Sequence, residues 1–130
     1  MLRTLAVLTV TALTFGPSAP ANAEPDAGSC DYALTPPTLV TVSGTTMVTA
    51  SVTPQACAGA VTYQTVACLQ MAGNQGPGRC SAGNGILPAQ VFFQPYRPGT
   101  AYTATGRGCA SSGNPPQASC RETGPLTVTL

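Results

Sequence analysis

The stretch Gln94-Pro95-Tyr96-Arg97-Pro98-Gly99-Thr100-Ala101-Tyr102-Thr103-Ala104-Thr105-Gly106-Arg107-Gly108-Cys109 joins a turn to the strand that follows it. Pro98 fixes φ at the value that a tight turn requires, and Gly99 tolerates the positive φ common at the next position. From Thr100 onward, β-forming residues alternate with small ones, which predicts a half-buried strand up to Cys109. The residues expected on one face of this strand are Tyr102, Ala104 and Gly106.

The segment from Tyr96 to Tyr102 resembles the corner between strands E and F of fibronectin type III and related immunoglobulin-like domains. In that corner an apolar residue, a spacer, Pro-Gly-Thr, one more residue and a Tyr open strand F. The resemblance implies an antiparallel β-sandwich in which the Tyr102 ring enters the core and its hydroxyl bonds to nearby backbone. It rests on Tyr96, Pro98, Gly99 and Tyr102, and it implies a fold but no function.

Alternating apolar residues on both sides of this corner predict the other strands of an all-β domain. The predicted strands cover residues 34–42 (interrupted by Pro36-Pro37), 45–53, 60–70 and 86–94, and a last strand points Leu126, Val128 and Leu130 inward. Residues 71–85 are rich in Gly, Asn, Gln and Pro and are predicted as a long loop or a ragged hairpin, with a turn at Asn84-Gly85. Residues 111–118 are predicted as a loop. The spacing of these strands indicates a single β-sandwich.

The period of two within residues 45–53 predicts which side chains enter the core. Val48, Ala50 and Val52 are expected inside, and Thr49 and Ser51 outside. The chain contains no Trp, so we expect Tyr63 or Phe93 to supply the large core aromatic residue of such a sandwich.

The first 23 residues predict a secretory signal peptide. A basic start at Met1 to Arg3 precedes an apolar run from Leu5 to Phe15, and Ala21-Asn22-Ala23 offers small residues for cleavage. The run is shorter than the roughly 20 residues that a transmembrane helix needs. Lipidation of Cys30 is disfavoured, because no bulky aliphatic residue lies just before it. We therefore expect a lead at residues 24–29 and one domain over residues 30–130 of a secreted or cell-envelope protein.

Residues 24–130 carry few charges, and these charges balance. Their charged side chains are Arg79, Arg97, Arg107 and Arg121 against Glu24, Asp26, Asp31 and Glu122, and they include no Lys or His. A neutral surface of this kind gives no electrostatic basis for binding nucleic acid or anionic membranes. Arg without Lys, together with abundant Ala, Thr, Gly and Pro, is typical of a GC-rich genome, for example an actinobacterial one.

Six cysteines follow the predicted signal peptide: Cys30, Cys57, Cys68, Cys80, Cys109 and Cys120. An even count in an exported chain predicts disulfides rather than free thiols. We favour sequential pairing, since each pair then lies symmetrically about a turn signal, namely Ser43-Gly44, Asn74 and Asn114-Pro115. Zinc binding is disfavoured because the chain has no His and no closely spaced Cys pair. Each disulfide could add about 3 kcal/mol by restricting the unfolded chain.

No arrangement of residues in the sequence indicates catalysis. A Ser or Cys nucleophile normally needs a His base, which is missing. The four acidic residues are expected as exposed charges, in the lead or beside cysteines, rather than as a catalytic pair. The segment from Gly73 to Gly85 lacks the Lys and the helix of a phosphate-binding loop. We therefore expect no enzyme activity, no cofactor and no metal.

A non-catalytic binding module is the function that we favour. Its contacts would come from the predicted loops Gln55–Gly59 and Ala110–Ser119 and from Arg107, Arg121 and Tyr63, unless these side chains are ordinary surface residues. A protein, a glycan or a small molecule could be the partner of what we expect to be a monomer.

Two other functions are compatible with the same sequence. One is a structural envelope protein without a discrete site. The other is a carrier of a small ligand, with a cleft lined by Met71, Phe92 and Tyr96. An exposed aromatic cluster would favour binding or carriage over a structural role.

The signal-peptide assignment predicts the mass of the exported protein. Secreted protein should have the mass of residues 24–130 less six hydrogens, because cleavage follows Ala23 and all six cysteines are oxidised. Intact-mass measurement of protein from culture medium, with and without reduction and alkylation, checks both points. An acylated Cys30 at a new N-terminus would contradict the cleavage site.

Overall fold

The computed structural model describes residues 28–73 and 78–130. This part of the chain contains strands and turns but no helix, so the predicted all-β class is confirmed. The strands are β1 (Ser29–Leu34), β2 (Thr38–Val42), β3 (Thr45–Ala58), β4 (Val61–Met71), β5 (Arg79–Asn84), β6 (Ala89–Phe93), β7 (Ala101–Ser112) and β8 (Gln117–Thr129). They form two antiparallel sheets.

The first sheet is built around the long strand β3. Val48 of β3 pairs with Leu39 of β2 on one side and with Phe93 of β6 on the other, and Val52 is likewise flanked by β1 and β6. Strands β1 and β2 therefore form one edge of the sheet, interrupted near Pro36-Pro37 as the sequence predicts. Proline lacks the N–H that continuous pairing would need, and an edge position tolerates this interruption.

The second sheet has the strand order β5-β4-β7-β8. Of the two predictions for residues 71–85, a long loop or a ragged hairpin, the antiparallel pairing of β4 with β5 matches the hairpin. The residues of β5 are small and polar, with little intrinsic strand propensity, so the strand depends on its pairing with β4 and on the Cys68–Cys80 link. The predicted loop at 111–118 is shorter than expected, because β7 and β8 extend to a turn at residues 113–116.

The inner faces of both sheets contribute to one buried apolar cluster. Val48, Ala50 and Val52 of β3 are buried as predicted, and β6, β4 and β7 supply the rest. The full cluster is Val48, Ala50, Val52, Ala67, Leu69, Ala89, Val91, Phe93, Tyr102 and Ala104. Most of these side chains are small, so the two sheets must approach closely to exclude water.

Glycine at two positions of β7 permits this close approach. A methyl group at Gly106 would collide with Val52, and one at Gly108 would collide with the ring of Tyr32 in β1. The hydroxyl of Tyr32 in turn lies 3.2 Å from the hydroxyl of Thr62 in β4, which links the two sheets through side chains.

Two side chains, Thr49 and Leu126, lie differently from the sequence expectation, whereas the expectation of a core aromatic residue is met by Phe93. Thr49 is only 9% exposed, since its hydroxyl donates to the carbonyl of Val91 at 2.9 Å. Leu126, expected inside, is partly exposed beside a bulge between β7 and β8. Of the two candidates for the core aromatic residue, Phe93 is buried and Tyr63 is exposed.

Tyr102 lies at the centre of the corner between β6 and β7. Its side chain is fully buried, with its ring edge-to-face on Phe93 at a centroid distance of 5.9 Å. Its hydroxyl accepts a hydrogen bond from the N–H of Arg97 at 2.9 Å and donates to the carbonyl of Pro95 at 3.4 Å. Gly99 has a φ of 79°, and its N–H donates to the carbonyl of Leu130. The corner is thereby tied to both the core and the end of the last strand.

Sequential disulfide pairing is confirmed. The links are Cys30–Cys57 between β1 and β3, Cys68–Cys80 between β4 and β5, and Cys109–Cys120 between β7 and β8. Each joins residues that lie directly opposite one another in antiparallel strands. Three such links indicate an oxidising environment.

Three sequence predictions concern residues that are wholly or largely outside the described part of the chain. The predicted signal peptide at 1–23 lies wholly outside it, as does the predicted turn at Asn74. Of the predicted lead at 24–29, Gly28 and Ser29 are described, and Ser29 already begins β1.

Tyr102→Phe should reduce the free energy of unfolding by about 1–3 kcal/mol, because it keeps the ring but leaves the N–H of Arg97 without its acceptor. Tyr102→Ala should cost about 3–5 kcal/mol through the cavity it leaves. Urea unfolding of the oxidised protein measures both, with a shifted midpoint at unchanged slope as the expected result.

Tyr63→Phe is the matched control, because the Tyr63 ring is exposed. Removing its hydroxyl should reduce the free energy of unfolding by less than about 0.5 kcal/mol. Equal destabilisation by the two Tyr→Phe variants would show that the corner hydrogen bonds do not stabilise the fold.

Candidate functional site

The three side chains predicted to bind a partner occupy separate places. Arg121 of β8 forms an ion pair with Asp31 of β1, at 3.0 Å between Nη1 and Oδ1. Both side chains are largely exposed, so the pair bridges the edges of the two sheets but adds little stability. Because Arg121 is engaged in this contact, it is a poor candidate for binding a partner.

Arg107 lies on the outer face of the second sheet. It pairs in register with Val66 of β4 on one side and with Glu122 of β8 on the other. All three residues line a groove with a cavity volume of about 410 Å³. The structure contains no ion pair between Arg107 and Glu122.

Tyr63 occupies a bulge in β4, where the register shifts between Thr62 and Gln64. Its side chain is 44% exposed, and its hydroxyl lies 4.0 Å from Sγ of Cys120. The ring therefore extends towards the Cys109–Cys120 disulfide, and Tyr63 does not line the groove that contains Arg107.

The two segments predicted as binding loops are mainly strand ends, but they do meet. Strand β3 continues to Ala58, and β7 and β8 include most of the segment Ala110–Ser119. A methyl group added to Gly28 would collide with both Gly59 and Ser112, so the three residues are close neighbours. The connections from β3 to β4 and from β7 to β8 therefore lie at the same end of the molecule.

A third connection at this end carries two of the three most exposed large apolar residues in the described part of the chain, and the sequence analysis did not identify it as a site. Ile86 is 70% and Leu87 63% exposed, in the connection between β5 and β6. The N–H of Gly85 donates to the carbonyl of Tyr63 at 2.9 Å, which places the connection beside the start of β4. Val61, the first residue of β4, is 65% exposed. We call Val61, Ile86 and Leu87 the apolar end.

Hydrogen bonds fix the backbone of this connection. Besides the bond from Gly85, the N–H of Leu87 donates to the carbonyl of Asn84 at 3.3 Å. The hydroxyl of Thr65, whose side chain is buried, donates to the carbonyl of Leu87 at 3.0 Å. The turn predicted at Asn84-Gly85 is present, but Ile86 and Leu87 belong to it and not to the strand predicted over 86–94. Two large aliphatic side chains are thus held outwards on an anchored turn.

The residues proposed to line a carrier cleft do not converge. Met71 and Tyr96 pack against the buried core cluster. Phe92 alternates with the buried residues Val91 and Phe93 and therefore faces outwards from the first sheet. No common cleft is formed by the three side chains.

The described residues offer little else for chemistry. Residues 28–73 and 78–130 contain no group of three or more His, Cys, Asp or Glu side chains that could hold a metal ion. Nor does any helix there have the length and apolarity that crossing a membrane requires.

The fold and these surfaces define a disulfide-linked all-β protein with an apolar end and a separate charged groove. Comparison with known proteins adds no further identification, since no protein family, curated protein or solved structure matches the chain.

Thr65→Val should loosen the turn that carries Ile86 and Leu87. The substitution keeps the side-chain shape but removes the hydroxyl that donates to the carbonyl of Leu87. We therefore expect the free energy of unfolding to fall by about 1 kcal/mol and amide exchange to become faster at Gly85 and Leu87. Urea unfolding and amide hydrogen exchange measure the two effects.

Thr103→Val is the control, because it removes an exposed hydrogen bond between the hydroxyls of Thr103 and Thr127, on a different part of the sheet. Unchanged exchange at Gly85 and Leu87 in Thr65→Val would mean that the turn does not depend on this hydrogen bond.

Proposed function

We propose that this chain is a secreted, non-catalytic module that binds another extracellular protein through its apolar end. The observation that carries the proposal is the position of Ile86 and Leu87, which are held in solvent by a hydrogen-bonded turn. Burying the exposed parts of these two side chains against a partner would contribute roughly 2–4 kcal/mol in total. An anchored turn loses little conformational entropy when it binds, which favours this use of the surface.

The location of the apolar end supports the proposal. The connections from β3 to β4, from β5 to β6 and from β7 to β8 lie together, at one end of the two sheets. Immunoglobulin-like domains characteristically use loops clustered at one end for recognition. The buried Tyr102 corner and the two packed antiparallel sheets support an immunoglobulin-like assignment for this chain. The proposed binding surface would then occupy the usual place in this kind of domain.

The chemistry of the surface favours a protein as the partner. Val61, Ile86 and Leu87 are uncharged, and no ionisable residue lies in the connection that bears the last two. An apolar surface without charge suits an apolar patch on a protein, and its binding should depend little on salt. The predicted signal peptide and the three disulfides support an extracellular partner.

The double variant Ile86→Ser/Leu87→Ser tests this proposal. Oxidised wild-type protein, immobilised on beads, should capture a defined protein from culture filtrate or envelope extract of the producing cells. The double variant should lose most of that capture, because the apolar contact area is replaced by hydroxyls. Capture should persist in high salt. Urea unfolding of the variant verifies that the exposed substitutions leave the fold intact.

Val42→Ser is the matched control, since Val42 is an exposed apolar residue beside the Ser43-Gly44 turn at the opposite end of β3. It should capture the partner as well as wild type does. If the wild type and the double variant capture the same proteins, or neither captures any, the apolar end is not a binding surface. A structural envelope role would then be the better hypothesis.

A further inference from the structure

The groove on the outer face of the second sheet is a separate surface with a different chemistry. Its floor is the segment of β7 from Thr105 to Arg107, in which the side chains of Thr105 and Arg107 are exposed and Gly106 faces the core. One wall is formed by Gly124-Pro125, where β8 bulges away from β7 between the pairs Gly106↔Thr123 and Ala104↔Leu126. The bulge therefore creates the depression rather than merely bordering it.

The opposite wall of the groove is apolar and covalently fixed. It consists of Val66 and Cys68 of β4, and Cys68 is linked to Cys80 of β5. With Pro125 on the other side, a ligand in the groove would lie between two apolar walls. The cavity volume of about 410 Å³ lies within the range of about 300–1,000 Å³ that is common for small-molecule sites.

The groove contains one cationic and one anionic side chain. Arg107 and Glu122 are directly opposite each other in register, both are exposed, and no ion pair or hydrogen bond joins them in the structure. The guanidinium can bind a carboxylate through two parallel hydrogen bonds, and the carboxylate of Glu122 can accept bonds from an ammonium group. A simple anion would be repelled by Glu122 and a simple cation by Arg107.

We propose that this groove binds a short peptide in its zwitterionic form, with the terminal carboxylate on Arg107 and the terminal ammonium near Glu122. Small apolar side chains of the peptide would contact Val66, Pro125 and the Cys68–Cys80 disulfide. The cavity has room for more than one amino acid, which favours a dipeptide-sized ligand over a free amino acid. This site is independent of the apolar end, since the two surfaces share no residue.

Titration of ¹⁵N-labelled, oxidised protein with L-alanyl-L-alanine tests the inference. Amide signals of Thr105 to Arg107 and of Glu122 to Gly124 should shift in a saturable way. Arg107→Gln should weaken the binding at least about tenfold, as expected when a charged hydrogen-bond partner is lost. Arg97→Gln, which removes an arginine at the corner outside the groove, should bind like wild type.

Two blocked peptides test the role of each charge. N-acetyl-L-alanyl-L-alanine lacks the ammonium and should bind wild type at least about tenfold more weakly than the free dipeptide. In Glu122→Gln this difference should shrink markedly, because the carboxylate that recognises the ammonium is absent. L-alanyl-L-alanine amide should bind wild type and Arg107→Gln equally weakly.

Absence of a saturable shift in the groove, or equal affinity of wild type and Arg107→Gln for L-alanyl-L-alanine, would overturn the inference. Ile86→Ser/Leu87→Ser should bind the dipeptide as wild type does, so failure at one surface can be distinguished from failure at the other. Urea unfolding of the Arg107 and Glu122 variants verifies that the exposed substitutions do not unfold the protein.

Discussion

Cross-strand disulfides hold together a core that is built mainly from small side chains. Alanine and valine supply most of the buried cluster, with Leu69, Phe93 and Tyr102 as its large members. Burial of small side chains gives limited hydrophobic stabilisation in a domain of this size. Each disulfide joins residues that already face each other across an antiparallel pair, so it restricts the unfolded chain without requiring a new arrangement of the folded one. The disulfides thus supplement the small core by linking three of the six described strand pairs, β1–β3, β4–β5 and β7–β8.

The same disulfides also shape the molecular surface. Cys68–Cys80 forms part of a wall of the charged groove, and it attaches the short strand β5 from which the chain enters the apolar end. The hydroxyl of Tyr63 lies near the Cys109–Cys120 link, beside the start of β4. A surface supported in this way is already ordered before a partner arrives, which lowers the entropic cost of binding. Stability and the proposed recognition therefore depend on the same covalent links.

The sequence predicted those features that depend on local chemistry or on symmetry about a turn. The turn at Pro98-Gly99, the inward face of β3 and the disulfide pairing are of this kind. The sequence left a loop and a ragged hairpin open for residues 71–85, because Arg79–Asn84 has little strand propensity and forms strand β5 only through its neighbour. Ile86 and Leu87 were assigned to a strand, because an apolar pair after a turn signal has the same pattern whether it enters a sheet or stays on the turn. Hydrogen bonds from distant residues, above all Thr65, decide between the two.

The charged groove illustrates a stronger limit on prediction from sequence. Arg107 was identified as a candidate binding residue, but Glu122 was interpreted as an exposed charge beside a cysteine. Their juxtaposition depends on the register of β7 and β8, which the Cys109–Cys120 link sets two residues away. One extra residue in β8 at Gly124-Pro125 then interrupts that register and opens the depression next to them. A shift of one residue would move Glu122 to the other face of the sheet and away from Arg107. The disulfide that stabilises this strand pair therefore also determines which charges share the groove.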